Sequence, residues 1–387
     1  MKAPTSIILL TRNFPPLRGG MERLNFHIFE ELRKENEVFL VGPKGAEAFC
    51  AEPSHVRTSP PLPVWLFLIG SFLQTLYLSL TKRPQLIIAG SGIAALPAVI
   101  AGRLSAVPVL TYLHGLDIIV QNALYQSLFL PVIKRSQGWL VNSRNTRELA
   151  VNAGIPAEKI AILNPGTDLP NWSEFDGGGS FRKRIGIGDR PILLSVGRQT
   201  RRKGLMEFVE HVLLPITRIK PNVLLLVIGG DPIHSVAGAA GLAGKSLRLL
   251  VTELGLEGNV LFLGEVDDRC LSEAFLSSQI HVFPGLDLPG DVEGFGMVAI
   301  EAAAHGLPTV AFAVGGVPDS VEPGVSGWLL EPGHYTAMTD AIMLHLTNPN
   351  ISTVTPSSCR QFAEQFAWPL LGEKLNAYCR RFLGHAP

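Results

Sequence analysis

Cysteine is scarce in this chain: four in 387 residues, at Cys50, Cys270, Cys359 and Cys379, with no C-x-x-C pair. That spacing suggests neither a disulfide framework nor a zinc site, and it fits a reducing compartment. Net charge is missing as well. The 33 Lys and Arg balance 33 Asp and Glu, so no global field draws in nucleic acid or an acidic surface. The amino terminus, MKAPTSIILLTRNF, holds too short an apolar run for a signal peptide, and Arg12 closes it. Long apolar runs are nearly absent, the exception being Val64–Leu80. That stretch sits at the lower edge of the ~17–25 residues a spanning helix needs. Ser71, Gln74, Thr75 and Ser79 interrupt it, so a buried or surface-docked helix is expected.

What is present is globular. Hydrophobic residues make up 47% of the chain, which excludes a disordered or fibrous protein, and the length favours two or three domains. Short apolar runs alternate with longer amphipathic ones. Ser6–Thr11, Glu37–Val41, Gln85–Ala89, Val107–Leu113 and Trp139–Asn142 read as buried parallel strands, with helices near 20–34, 64–82, 92–105, 118–135 and 143–153. A turn-rich stretch follows, from Asn164-Pro165-Gly166 to Gly177-Gly178-Gly179-Ser180. Then a second series begins: strands at Pro191–Val196, Val223–Ile228, Val260–Leu263, Ile280–Phe283 and Thr309–Phe312, with helices near 203–219, 240–255, 269–278, 293–305 and 334–347. The tail, 357–384, reads as helical and amphipathic, with Phe362, Phe366, Leu370, Leu371 and Leu375 on one side. The expected fold class is α/β, two Rossmann-like doubly wound domains facing a central cleft. Their expected spans are 1–175 and 176–360, with a helical tail 361–387 that packs back on the first domain.

Four strand-end clusters carry chemistry. In Asp291-Val-Glu293-Gly-Phe-Gly296-Met-Val-Ala-Ile-Glu301-Ala, the two glutamates are eight residues apart and fall on one side of a single expected helix. Gly294 and Gly296 let the amides of 294–298 approach an anion at a helix start. An acid beside a phosphate site makes sense if it accepts hydrogen bonds from sugar or ribose hydroxyls; the plainer reading is complementation of the helix dipole. The second cluster, Gly197-Arg198-Gln-Thr-Arg201-Arg202-Lys203-Gly204, offers Arg198 and Lys203 as a diphosphate clamp. The third, Phe14-Pro15-Pro16-Leu17-Arg18-Gly19-Gly20-Met21-Glu22, combines a stiff loop with two glycines at a helix start. The fourth is His114-Gly115-Leu116-Asp117 at the end of a strand. A competing signal is Gly90-Ser-Gly92-Ile-Ala-Ala95, spaced like a dinucleotide fingerprint but lacking the acidic residue roughly 20 positions on.

Together these residues resemble the retaining GT-B glycosyltransferases of family four, over most of the chain. Gly197-Arg198, Arg202-Lys203-Gly204, Phe262-Leu-Gly264, Glu293-Gly-Phe-Gly-x4-Glu301 and Gly315-Gly316-Val-Pro318-Asp319 carry the likeness, with Phe14-Pro15-Pro16, Gly19-Gly20, His114-Gly115 and Asn164-Pro165-Gly166 in the first half. Asp291-Val-Glu293-Gly and the Phe-Pro-Pro loop further resemble the phosphatidylinositol-mannoside mannosyltransferases, in which Gln is common where Met21-Glu22 follows here.

The resemblance implies a nucleotide diphosphate sugar donor, GDP-mannose first and a UDP-sugar second, with no cofactor. It implies that Arg198 and Lys203 hold the diphosphate and Glu301 the ribose. Glu293 and the backbone at Phe295, Gly296, Met297 and Val298 would hold the sugar, and Gly264 would lie against the base. Gly19 and Gly20 would approach the phosphates and His114 the sugar. The chain has no Asp-x-Asp motif, so no metal is expected. The acceptor would be a glycan or a lipid-linked sugar in cell-envelope synthesis. Arg12, Arg18 and Arg23, with the apolar stretch 64–80, suggest peripheral attachment to an anionic cytoplasmic membrane face. The other function classes are an NAD-dependent oxidoreductase built on Gly90–Ala95 and a non-catalytic nucleotide-sugar sensor.

Overall fold

The apolar runs form strands buried on both faces, which is what a parallel sheet covered by helices requires. The computed structural model describes residues 5–230, 246–348 and 353–383. They form two units, Met1–Gly166 with Phe366–Pro387, and Thr167–Gln365.

The first unit holds β1 (Thr5–Leu10), β2 (Asn36–Pro43), β3 (Val56–Ser59), β4 (Leu86–Ala89), β5 (Val109–Leu113), β6 (Gly138–Val141) and β7 (Ile160–Ile162). They lie in the order β3-β2-β1-β4-β5-β6-β7, all parallel. The second holds β8 (Ile192–Val196), β9 (Leu224–Ile228), β10 (Val260–Gly264), β11 (Ile280–Phe283), β12 (Thr309–Phe312) and β13 (Gly327–Leu330). Their order is β10-β9-β8-β11-β12-β13, again all parallel. Alternate residues serve opposite layers: Leu193, Leu225, Val227 and Val310 join one core of the second unit, and Ile192, Leu194, Leu224 and Leu226 the other. The edge strands β3, β7 and β13 are additions to the expected set. They are three or four residues long, and only part of each is buried, so no long apolar run marks them. In each sheet the chain reverses its direction of travel once, between β1 and β4 and between β8 and β11. Loops at the carboxyl ends of those strands therefore adjoin.

Several expected helices are cut. The helix expected over 118–135 is two, Leu116–Ile119 and Ala123–Ile133, the second started by the Asn122 side chain accepting from Tyr125 N. The helix expected from 293 starts at Met297, because Gly294 and Gly296 interrupt it and Gly296 adopts φ +89°. The first positions of the helix expected at 240–255 lie outside the described residues, and the helix runs Leu247–Glu253. The tail is Pro356–Glu364 in the second unit and Trp368–Leu383 in the first. The expected helical tail is thus two helices, one in each unit. The chain passes between units at 166/167 and 365/366, against expected joins at 175/176 and 360/361. Trp172 ties the early part of that linker to the second unit, its indole N–H donating to Ala304 O at 3.2 Å.

Candidate active site

At the reversal point of the second sheet, β8 and β11 pair in parallel, so the loops that leave them meet. Leu286 N donates to Arg202 O at 2.8 Å. Gly204, at φ +67°, lies so close that an added Cβ would overlap the carbonyl oxygen of Pro284. This contact docks the short turn Arg201–Lys203 against the 284–296 loop. Lys203 Nζ then reaches Glu293 Oε2 at 2.8 Å and sits 4.4 Å from the centre of the Phe283 ring. Arg202 Nε lies 3.4 Å from the same carboxylate oxygen, and its guanidinium 3.7 Å from Asp291. All three side chains of the Lys203–Glu293–Arg202 cluster are less than one-fifth exposed.

Burial by itself would raise the Glu293 pKa. The charges of Lys203 and Arg202 and their hydrogen bonds outweigh it and hold the carboxyl below its ordinary value. Glu293 is therefore ionised at neutral pH. The loop after β12 fixes its backbone: Gly316 N donates to Glu293 O at 2.8 Å. A Cβ on Gly316 would overlap Gly294 O, which accounts for the Gly-Gly of the Gly315-Gly316-Val-Pro318-Asp319 run.

Glu293 thus stands in the loop before the helix Met297–Ala304, and only Glu301 is on it, correcting the expectation that one helix carries both. Phe295 is buried and Met297 and Val298 are half-buried around the start of that helix, and Glu301 is half-buried further along it. Arg198, two residues past the end of β8, is exposed and makes no ion pair among the described residues. Gly264 closes β10 at φ +69° with open space where a side chain would stand. The sequence pattern had singled out Lys203 and Glu293 without joining them. It assigns no site role to Arg202, Asp291 or Phe283, the first two standing only inside motifs that carry the family likeness.

In the first unit the reversal point lies between β1 and β4. Asn13 Nδ2 donates to Glu22 Oε1 at 2.7 Å, which ties the loop after β1 to the helix Gly20–Arg33. Arg18, Gly19 and Gly20 are exposed, while Arg12 and Arg23 are half-buried. Burial lowers the Arg12 pKa, and Glu22 opposes that shift. His114 is 9% exposed. Its Nε2 donates to Gly90 O at 2.9 Å, since a carbonyl only accepts, and its backbone N donates to Asp117 Oδ2 at 2.9 Å. A Cβ on Gly90 would overlap Asn25 Oδ1, and one on Gly92 would come within 2.6 Å of the Tyr125 hydroxyl. Packing inside the unit therefore explains both glycines of the apparent dinucleotide fingerprint.

Two family models match in tandem: glycosyltransferase family 4 over residues 18–170 and glycosyl transferases group 1 over residues 180–366. The chain belongs to glycosyltransferase family four. It is a hexosyltransferase of the nucleotide-sugar type, and the oxidoreductase reading of Gly90–Ala95 falls.

Among relatives of this family-four enzyme is the GDP-mannose-dependent alpha-(1-6)-phosphatidylinositol monomannoside mannosyltransferase of Mycolicibacterium smegmatis. It is 26% identical over 391 residues, covering 95% of this chain and 97% of the relative. The D-inositol 3-phosphate glycosyltransferase of Mycobacterium marinum is 31% identical over 261 residues, 65% of this chain and 52% of its own length. Among solved structures, Anabaena HepE in complex with UDP matches at a TM-score of 0.78 with 21% identity, covering 97% of this chain and all of that one. Sucrose-phosphate synthase from Thermosynechococcus elongatus matches at 0.77 with 21% identity, over 99% of this chain and all of that one. These likenesses assign the GT-B fold.

Proposed function

We propose that this enzyme transfers a hexose, with mannose favoured, from a GDP-sugar to a glycan or lipid-linked acceptor during cell-envelope glycolipid or polysaccharide synthesis. A UDP-sugar is the second choice of donor. The reading is carried by the buried Lys203–Glu293 pair at the strand-end reversal, beside Arg198, which has no ion-pair partner among the described residues.

In this scheme Arg198 and Lys203, with Arg202, take up the charge of the diphosphate, and Glu293 accepts hydrogen bonds from the sugar hydroxyls. The amides of Phe295, Gly296, Met297 and Val298 hold the sugar from the helix start, Glu301 takes the ribose, and Gly264 leaves room for the base. The proposed roles in the first unit are phosphate approach at Gly19 and Gly20, sugar contact at His114, and an acceptor side at Arg12, Arg18 and Arg23. The reaction proposed is retaining and metal-independent. The anomeric carbon–oxygen bond to the diphosphate breaks, the acceptor oxygen bonds that carbon on the same face, and the departing phosphate takes the acceptor's proton. Protein cations stabilise that leaving group. The proposed location is cytoplasmic, peripheral to the inner membrane face.

A thermal-shift comparison of GDP, UDP, ADP and NAD⁺, with and without EDTA, tests the donor and metal assignments. Stabilisation by GDP that EDTA leaves unchanged is expected. Stabilisation by UDP alone moves the assignment to a UDP-sugar, and a response to neither GDP nor UDP overturns the donor scheme.

A further inference from the structure

The helix Val64–Lys82 is built inside out. Its buried side carries Ser71 and Thr75 at 0% exposure and Ser79 at 4%, beside Phe67 and Leu78. The Thr75 and Ser79 hydroxyls have no hydrogen-bond partner among the described residues. Its outward stripe is Trp65, Ile69, Leu73 and Tyr77, four residues apart and each more than half exposed. A helix facing water turns the other way. This helix packs on Gly92–Ser105, which packs in turn on Ala123–Ile133, and those two add Leu104 and Leu124 at 64% and 65% exposure. Three adjacent helices therefore each leave large apolar side chains exposed, more than scattered single ones account for.

Charge is distributed to match. Between Glu52 and Glu148 the chain has eight Lys and Arg against a single acid, Asp117. Each helix returns antiparallel to its strands, so the helix carboxyl ends gather at the amino edge of the sheet. There Lys82, Arg83, Arg103, Lys134 and Arg135 are exposed. A cavity of about 550 Å³ opens at that edge, with Val99, Val107, Val109 and Phe382 among its apolar lining and Arg103, Arg135, Lys159 and Arg381 as its cations. No carboxylate lines it, and none of the four cations makes an ion pair among the described residues. Four like charges converging without a counterion mark a site for an anion.

We propose that this cavity binds the phosphate headgroup of an anionic phospholipid while the three-helix face lies on the bilayer beside it. The first unit then attaches through the amino edge of its sheet, opposite the loop of Arg12, Arg18 and Arg23. The inference rests on the membrane attachment proposed above but moves it from the Arg12, Arg18 and Arg23 loop to the opposite edge. Absence of vesicle binding fails both, and equal losses in the two arginine pairs fail the cavity alone.

The test is co-sedimentation of the full chain with vesicles of phosphatidylcholine, alone and mixed with phosphatidylglycerol. Binding is expected only to the mixed vesicles. It should fall about tenfold or more in R103Q/R381Q and much less in R12Q/R18Q, which removes the same charge at the other edge. L73Q/L104Q, both at exposed positions, should also lose binding with an unchanged melting temperature. Equal losses in the two arginine pairs, or undiminished binding of R103Q/R381Q, overturn the proposal. So does stabilisation by inorganic phosphate that R103Q/R381Q abolishes, if the native chain ignores both kinds of vesicle; the cavity then takes a free phosphate.

Discussion

Lys203 and Glu293 share a buried carboxylate–ammonium contact at 2.8 Å, and removing one partner strands the other. Lys203→Met leaves Glu293 with Arg202 alone. It is expected to cost about 3 kcal/mol, the low end for a broken buried pair, and to lower turnover about 100-fold. Denaturant unfolding and steady-state rates at saturating donor check the two parts separately. Unchanged turnover removes Lys203 from the leaving-group scheme.

His281 makes a second residue-scale case. It is 1% exposed within β11, its Nδ1 lies 3.1 Å from Thr309 Oγ1, and burial pushes its pKa down to about 3, with the Lys203 charge adding to the shift. The fold keeps this imidazole neutral while the unfolded chain protonates it near the ordinary value of 6.5. The unfolded state then binds more protons between those values, so stability falls as pH drops from about 6.5 towards 3. His281→Asn should flatten that slope in urea unfolding at stepped pH. Glu293 has the opposite protonation chemistry but the same outcome. Its depressed pKa contributes stability above the ordinary 4.5 that is lost as pH falls through the lower folded value.

At the scale of elements, loops rather than helices hold the site together. The 293–296 loop is clamped from one side by the Arg201–Lys203 turn and from the other by Gly315-Gly316. Gly316→Ala forces a methyl into the Gly294 carbonyl. It should cost about 1–3 kcal/mol by overpacking and weaken nucleotide-sugar binding, which calorimetric titration reads directly. A variant with unchanged donor affinity shows that the clamp is not needed for binding. The strands around this loop were legible because an uninterrupted apolar run has few other uses. The start of its helix was not. A Glu, Gly, Phe, Gly run reads as helix by the spacing of its acids, and only the glycine backbone conformations, set by neighbouring loops, move Glu293 out of it.

At the scale of the whole molecule the chain returns to where it began. Trp368 stacks on His27 at 3.8 Å and lies against Gly166, Asn376 accepts from Asn36 at 3.0 Å, and Tyr378 donates to Lys159 O at 2.6 Å. These contacts join the helix Trp368–Leu383 to the first unit, so the final segment belongs to the fold of residues far from it in sequence. Trp368→Ala is expected to cost about 3–5 kcal/mol. The loss should fall on the first unit, and amide hydrogen exchange should show its strands less protected while β8–β13 keep their protection. A uniform loss of protection counts against this division of labour.

By itself the sequence determined the fold class, the family and most of the candidate residues, because parallel strands, strand-end glycines and their spacing to charged residues are local patterns. The tertiary structure decided which of those residues meet. Lys203 finds Glu293, ninety positions away, through the parallel pairing of β8 and β11. Tertiary packing also decided which side of Val64–Lys82 faces out. Neighbouring helices take its hydroxyls inward and leave Trp65, Ile69 and Leu73 outside. Distance along the chain carries no information about either outcome, since both depend on which surfaces the sheet order brings together.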